Sequence, residues 1–284
     1  MQKNKSHSFV VSKKIAAVVI ILIIFPITFA SAYPYWENIP PRANEEANME
    51  YVYQPYIPTQ GQKVVCIVFD DGWQSQYVNA LPILNKYGFE ATFGIITGYA
   101  DEKNPEFMSW SEIVNLADDG QDIASHTYNH ENLAFMSNSS INYELSKSKQ
   151  DLENHGINAP IFVYPYGGGA GNATVESFVA KYYLSARGIE STTVMGTPLN
   201  LTQPFDKFSL PAYAIENTTT LSRFTSFVNK ASNSTVIIIY YHKIDNEDLD
   251  TATTPQVFAS EMQYLYDNNF TVMTMKDLLL KPVT

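Results

Sequence analysis

Two histidines four residues apart, in His126-Thr-Tyr-Asn-His130, and two adjacent carboxylates, Asp70-Asp71, are where this chain is best equipped for chemistry. On a helical turn a spacing of four stacks both imidazoles on one side, where they can share one ion. Asp71 adds an oxygen ligand, giving a two-histidine, one-carboxylate set with positions open for water and substrate. Zinc, iron, cobalt, manganese and nickel all suit such a set, and ligand type alone does not rank them. Neighbouring anions repel each other, so Asp70 beside Asp71 needs a reason. A cation held by Asp71 supplies one and leaves Asp70 as a base toward an attacking water. A solvated Asp-Asp-Gly turn would account for the pair alone, but not for the histidines. The chain has only 5 histidines, and His242 is another that closes an apolar run.

The elements that must position these residues follow from apolar periodicity. Val64–Phe69 is a β-branched run ending at Asp70, Asp122–Ser125 runs straight into His126, and Val236–Tyr241 ends at His242. Ile161–Tyr164 is a further strand, followed by the turn Pro165-Tyr166-Gly167-Gly168-Gly169. Helical stretches are predicted at Tyr77–Tyr87, Ser109–Asp119, Ile141–His155, Thr174–Lys181, Leu221–Ala231 and Pro255–Asn268, with Gly88, Gly120 and Gly156 as stops. Near-continuous apolar strands alternating with helices predict an α/β fold, a parallel sheet covered by helices, barrel-like or open. In either form ligands bind at the carboxyl ends of the strands. Asp70, His126, Tyr166 and His242 are far apart in sequence, yet such a fold brings them to one face.

Composition narrows the field. Apolar residues make up 45% of 284, enough for a sizeable core, and the formal charge of −11 argues against nucleic acid, which needs a basic face. The single cysteine, Cys66, lies within an apolar strand and is expected to be a small filler. Lys3, Lys5, Lys13 and Lys14 precede an apolar run over residues 15–30, and Ala30-Ser31-Ala32 follows. A charged region, an apolar region and an A-x-A end make an export signal, with a retained membrane anchor as the alternative. Three segments are therefore expected: residues 1–32 as signal peptide or anchor, 33–62 as a Pro- and Tyr-rich linker or N-terminal arm, and 63–284 as one catalytic domain.

Four motifs, Phe69-Asp70-Asp71-Gly72, Ser125-His126-Thr127-Tyr128-Asn129-His130, Tyr164-Pro165-Tyr166-Gly167 and Tyr240-Tyr241-His242, stand in an order that resembles the polysaccharide deacetylases. This is the NodB-type domain of carbohydrate esterase family 4, and the resemblance runs from about Lys63 to Leu280. It implies a distorted (β/α) barrel in which Asp70 is the general base and Asp71, His126 and His130 bind the metal. It further implies that Tyr166 offers a backbone N–H to the oxyanion and that His242 is the general acid. The implied activity is removal of N-acetyl groups from an N-acetylglucosamine-type glycan outside the cytoplasm. An O-acetyl glycan esterase and a glycan-binding surface protein with weakened catalysis are the alternatives. Trp73 and Tyr241 are candidates for a substrate wall, with core packing an equal alternative for Trp73.

The chain also departs from the family pattern. Many members carry an arginine three positions before the Tyr166 equivalent, where it orients the catalytic aspartate; Val163 stands there. The aspartate of the fourth motif is not evident around Ser185-Ala-Arg-Gly188. The arginine-free pattern is similar to the branch that includes poly-N-acetylglucosamine deacetylases. Arg187 either supplies the missing charge from another strand end or is a surface ion-pair partner.

Overall fold

Runs such as Val64-Val-Cys-Ile-Val-Phe69 bury every side chain, which a strand achieves only when both faces of its sheet are covered. The computed structural model describes residues 49–189, 198–247 and 249–283. It begins with β1 (Tyr51–Tyr53), β2 (Val64–Phe69), a π-helical turn (Gln76–Ala80), α1 (Leu81–Tyr87) and β3 (Thr92–Ile95). Next come α2 (Thr97–Glu102), α3 (Trp110–Asp118), β4 (Asp122–Ser125), α4 (Asn138–Asn154), β5 (Ile161–Val163) and α5 (Ala173–Val179). They are followed by β6 (Ser185–Arg187), β7 (Leu199–Asn200), β8 (Tyr213–Ala214), α6 (Leu221–Val228) and β9 (Thr235–Tyr241). The chain closes with α7 (Pro255–Asp267), β10 (Thr271–Met273), α8 (Met275–Leu279) and β11 (Leu280–Pro282).

The main sheet runs β6-β5-β4-β3-β2-β9-β7, with β10 also on β2 and β8 on β9. Its pairings are parallel except that of β7 with β9. The sheet curls so that residues 207–214 reach from β6 at one end to β9 near the other. Leu210 N–H donates to Ala186 O and Gly188 N–H to Leu210 O, while Tyr213–Ala214 pairs with β9. The result is the expected distorted (β/α) barrel. One face carries Val64, Cys66, Val68, Val163, Ile238 and Tyr240. The opposite face carries Val65, Ile67, Phe69, Phe93, Ile239 and Tyr241, and packs against Leu84, Leu116, Phe224, Phe258 and Met262 of the helices.

Most predicted elements are present within a residue or two. The exceptions are short: α2, β7 and the pair β1–β11 carry too few residues to show a period. Residues 49–62 are not a free linker. Tyr51–Tyr53 pairs antiparallel with Leu280–Pro282, and Tyr51, Tyr53 and Tyr56 pack on the apolar cluster around Val64 and Leu278. The described residues before 63 are an arm packed on the domain, and the described residues form one compact unit. The expected export segment, residues 1–32, lies outside the described residues. Among the described residues no helix is long and apolar enough to cross a membrane.

A buried acid sits in the layer between β9 and α7. Glu261 is 0% exposed, accepts a 2.9 Å hydrogen bond from Tyr241 Oη on Oε2, and has no partner for Oε1. Burial pushes its carboxyl up from 4.5 to about 8. Between those values the folded chain keeps a proton that the unfolded chain has released, so stability falls as pH rises through this window. Glu261→Gln is expected to remove that slope, on the order of a few kcal/mol between pH 5 and 8, as read from thermal unfolding of both proteins.

Candidate metal centre and active site

The pleat of the strands decides which side chains meet. Successive residues point to opposite faces, so Asp70 continues the row Val64, Cys66, Val68, and His242 continues Val236, Ile238, Tyr240. His126 likewise follows Ala124 on β4, and Arg187 follows Ser185 on β6. All four stand at carboxyl ends of parallel strands, where the barrel opens. Asp71 would by parity follow Val65, Ile67 and Phe69 on the opposite face, but its φ of 78° ends the strand and its carboxylate meets the histidines.

The Asp71 carboxylate meets both imidazoles. Its Oδ1 is 3.3 Å from His126 Nε2 and 3.2 Å from His130 Nε2, and one donor atom from each residue lies within 4.8 Å of the others. His126 Nδ1 is 2.7 Å from Val163 O. A carbonyl only accepts, so this contact places the ring proton on Nδ1 and leaves a lone pair on Nε2. That lone pair faces the acidic oxygen Asp71 Oδ1, which is buried and has no hydrogen-bond partner. With the ring neutral, two acceptors meet at 3.3 Å, a repulsion that a divalent ion between or beside them would relieve, so the donor set fits such an ion. When the rings instead carry a proton on Nε2, their hydrogen bonds and the nearby His242 outweigh the effect of burial, and the Asp71 carboxyl lies well below the usual carboxylate range.

The expected helical turn between the histidines is not formed. Thr127 and His130 have φ of 67° and 61°, and the rings converge, with centroids 4.9 Å apart, through a left-handed loop. A β-branched residue there is strained by about 1–3 kcal/mol, so neighbouring groups must hold it. Gly98 N–H donates to Tyr128 O at 2.9 Å, and a Cβ on Gly98 would come within 2.5 Å of that oxygen. Only glycine allows α2 to approach the loop this closely.

Arg187 is fully buried, and its Nη2 forms an ion pair with Asp70 Oδ1. Nη1 donates to Gly188 O at 3.1 Å, and the guanidinium lies 4.3 Å over the Tyr240 ring. The surface ion-pair alternative for Arg187 is thereby removed. Val163, at the position of the absent arginine, contributes its backbone carbonyl to His126 instead. Gln76, which no sequence pattern singled out, donates from Nε2 to Asp70 O at 2.6 Å and to His242 O at 3.0 Å, tying the ends of β2 and β9 together. A glutamine at the start of a helix carries no signal of its own; the π-helical turn aims it inward.

Two wall candidates are corrected. Tyr241 is 0% exposed and lies on the outward row, packed on Phe69 and Phe258 and bonded to Glu261, so it does not face the opening. Strand parity opposite to His242 is the signal that would have excluded it. Trp73 stacks on Phe107 at 4.3 Å, has Lys243 Nζ 4.4 Å over its ring, and donates from Nε1 to Asp71 Oδ2 at 2.8 Å. The indole is engaged by protein and orients the Asp71 carboxylate rather than standing open as a sugar platform. Tyr166, by contrast, is 64% exposed, has φ of 57°, and sets its ring 4.6 Å from that of His130. Its loop is pressed close to its neighbours: a Cβ on Gly168 would come within 2.0 Å of Asn132 Oδ1.

With that geometry in view, the likeness to known proteins is informative. Residues 58–185 match the family model described as polysaccharide deacetylase. Poly-beta-1,6-N-acetyl-D-glucosamine N-deacetylase of Staphylococcus aureus is 31% identical over 131 residues, 45% of this chain and 45% of that protein. A bifunctional xylanase/deacetylase of Pseudobutyrivibrio xylanivorans is 23% identical over 221 residues, 78% of this chain and 31% of that protein. The chain spans half or less of the length of the curated relatives it matches. Among solved structures, the Bc1960 peptidoglycan N-acetylglucosamine deacetylase superposes with a TM-score of 0.55 at 16% identity, over 78% of this chain and 91% of that one. Residues 58–185 are thus those of a polysaccharide deacetylase domain, and the barrel they begin has the fold of the solved deacetylases.

Proposed function

We propose that this protein is an exported, metal-dependent N-deacetylase acting on an N-acetylglucosamine-type glycan. The observation that carries it is the meeting of Asp71, His126 and His130 donor atoms within 4.8 Å beside Asp70, at the open end of the barrel. The charged, apolar and A-x-A pattern of residues 1–32 supports export, and the name of the Staphylococcus aureus relative supports the substrate class.

Asp71, His126 and His130 would hold a divalent ion, zinc being the expected one, which would polarise the acyl carbonyl and acidify water. Arg187 engages Asp70 Oδ1 and leaves Oδ2 outside that bond, to take the proton of the attacking water. Tyr166 offers its backbone N–H to the developing oxyanion. His242 donates a proton to the leaving nitrogen, which an amide requires more than an ester does. The buried Arg187 beside Asp70 supports an active centre over a glycan-binding module without catalysis.

Acetate release from N-acetylglucosamine oligomers, abolished by chelation and restored by zinc, is the expected result. Activity unaffected by chelation would overturn the mechanism, and faster release from O-acetyl xylan would favour the esterase alternative. Asp71→Ala is expected to weaken zinc binding beyond the roughly 10–100-fold typical of an outer-shell change, as measured by titration of the apo protein.

A further inference from the structure

We propose that Glu144 is a positioning residue of the metal centre, clamping the loop between His126 and His130 so that His130 reaches Asp71. The inference rests on the reading of Asp71, His126 and His130 as a metal site.

The loop cannot hold this shape by itself. Its two left-handed residues, Thr127 and His130, leave the backbone N–H groups between them without partners in any regular element. Glu144 supplies those partners from α4. Its Oε2 accepts from Tyr128 N at 3.0 Å and from Asn129 N at 2.8 Å, and its Oε1 accepts from Asn129 Nδ2 at 2.8 Å. All three donors belong to the two residues immediately before His130. The loop's carbonyls are gripped from the other side, where Thr97 and Gly98 donate to Thr127 O and Tyr128 O. The chain between the ligands is thus held on both edges, and the Glu144 edge is the one made by a side chain.

Burial argues for a specific task. Glu144 is 2% exposed, on a helix face shared with Ile141, Leu145 and Leu152, where an unpaired carboxylate would be costly. Only an acceptor on both oxygens satisfies three converging donors. Glutamine has the same shape, but its Nε2 would face either Asn129 Nδ2 or the two backbone N–H groups. Glu144→Gln therefore breaks one edge of the clamp without leaving a cavity.

The test is zinc titration of the apo full-length protein against a chromophoric competitor, for wild type, Glu144→Gln, Asn129→Ala and His130→Ala. Thermal unfolding is followed in parallel, and titrations are run well below every transition. Glu144→Gln is expected to weaken zinc binding about 10–100-fold, and Asn129→Ala, which removes one bond of three, by a smaller factor. Acetate release by Glu144→Gln should recover as zinc is raised to saturation. Zinc affinity unchanged in Glu144→Gln overturns the clamp, even if its melting temperature falls, because that is a purely structural role. If Glu144→Gln does not fold, unchanged affinity in Asn129→Ala overturns it instead. A wild type that binds zinc no better than His130→Ala overturns the metal-centre reading itself.

Discussion

Asp70→Asn is expected to lower acetate release by about 10²–10⁴-fold while leaving zinc affinity within a few-fold of wild type. Asparagine keeps the size of the side chain and an oxygen for Arg187, but it has no oxygen basic enough to take a proton. Asp70 is adjacent to Asp71, yet the pleat separates their tasks: Asp71 turns to the histidines, whereas Asp70 stays in the inward row and meets Arg187. Measuring zinc binding and acetate release on the same preparation separates base from ligand. Loss of both together would mean that Asp70 also holds the ion, and retention of activity would remove it as the base.

Arg187→Met is expected to be the most destabilising of these changes, by about 3–5 kcal/mol, and to abolish most activity. The guanidinium is fully buried, and its removal leaves the Asp70 carboxylate, itself 4% exposed, without its partner. Lysine is a poor replacement, since a point charge cannot both pair with Asp70 and cover the Tyr240 ring. Combining Asp70→Asn with Arg187→Met should recover a large part of the lost stability and none of the activity, because no uncompensated charge remains. Urea unfolding of the two single variants and the double variant measures this coupling. Additive losses would mean that the pair contributes little, and that Arg187 acts through packing alone.

The elements that build the site were legible for a definite reason. β2 and β9 are apolar runs closed by a polar residue, β4 is a short buried strand that runs into His126, and in a parallel sheet such residues lie at the carboxyl edge. Asp70, His126 and His242 could therefore be placed on one face without coordinates. The fold class followed from the same alternation of buried strands with helices. Tyr241 was misplaced although its parity was readable, since it stands one residue from His242 and must point the other way.

Other features had no local signature. β1 is three residues long and exists because β11 pairs with it across the whole chain. Gln76, Glu144 and Trp73 are ordinary residues in sequence, and their roles come from what they approach. The loop from His126 to His130 kept its spacing but not its expected helical turn, because Gly98 and Glu144 supply hydrogen bonds that a helix would have made internally.

The amino-acid sequence by itself determined the candidate ligand set, the carboxylate beside it and the strand ends on which they stand. These are consequences of residue type and of a period of two. Tertiary structure decided what those groups lean on. Asp70 and Arg187 are 117 positions apart and meet only because the sheet curls, with residues 207–214 bridging β6 to β9. An arginine absent at Val163 is thus answered from the neighbouring strand. Closure of a barrel brings distant strand ends within hydrogen-bond reach, and no spacing along the chain encodes that distance.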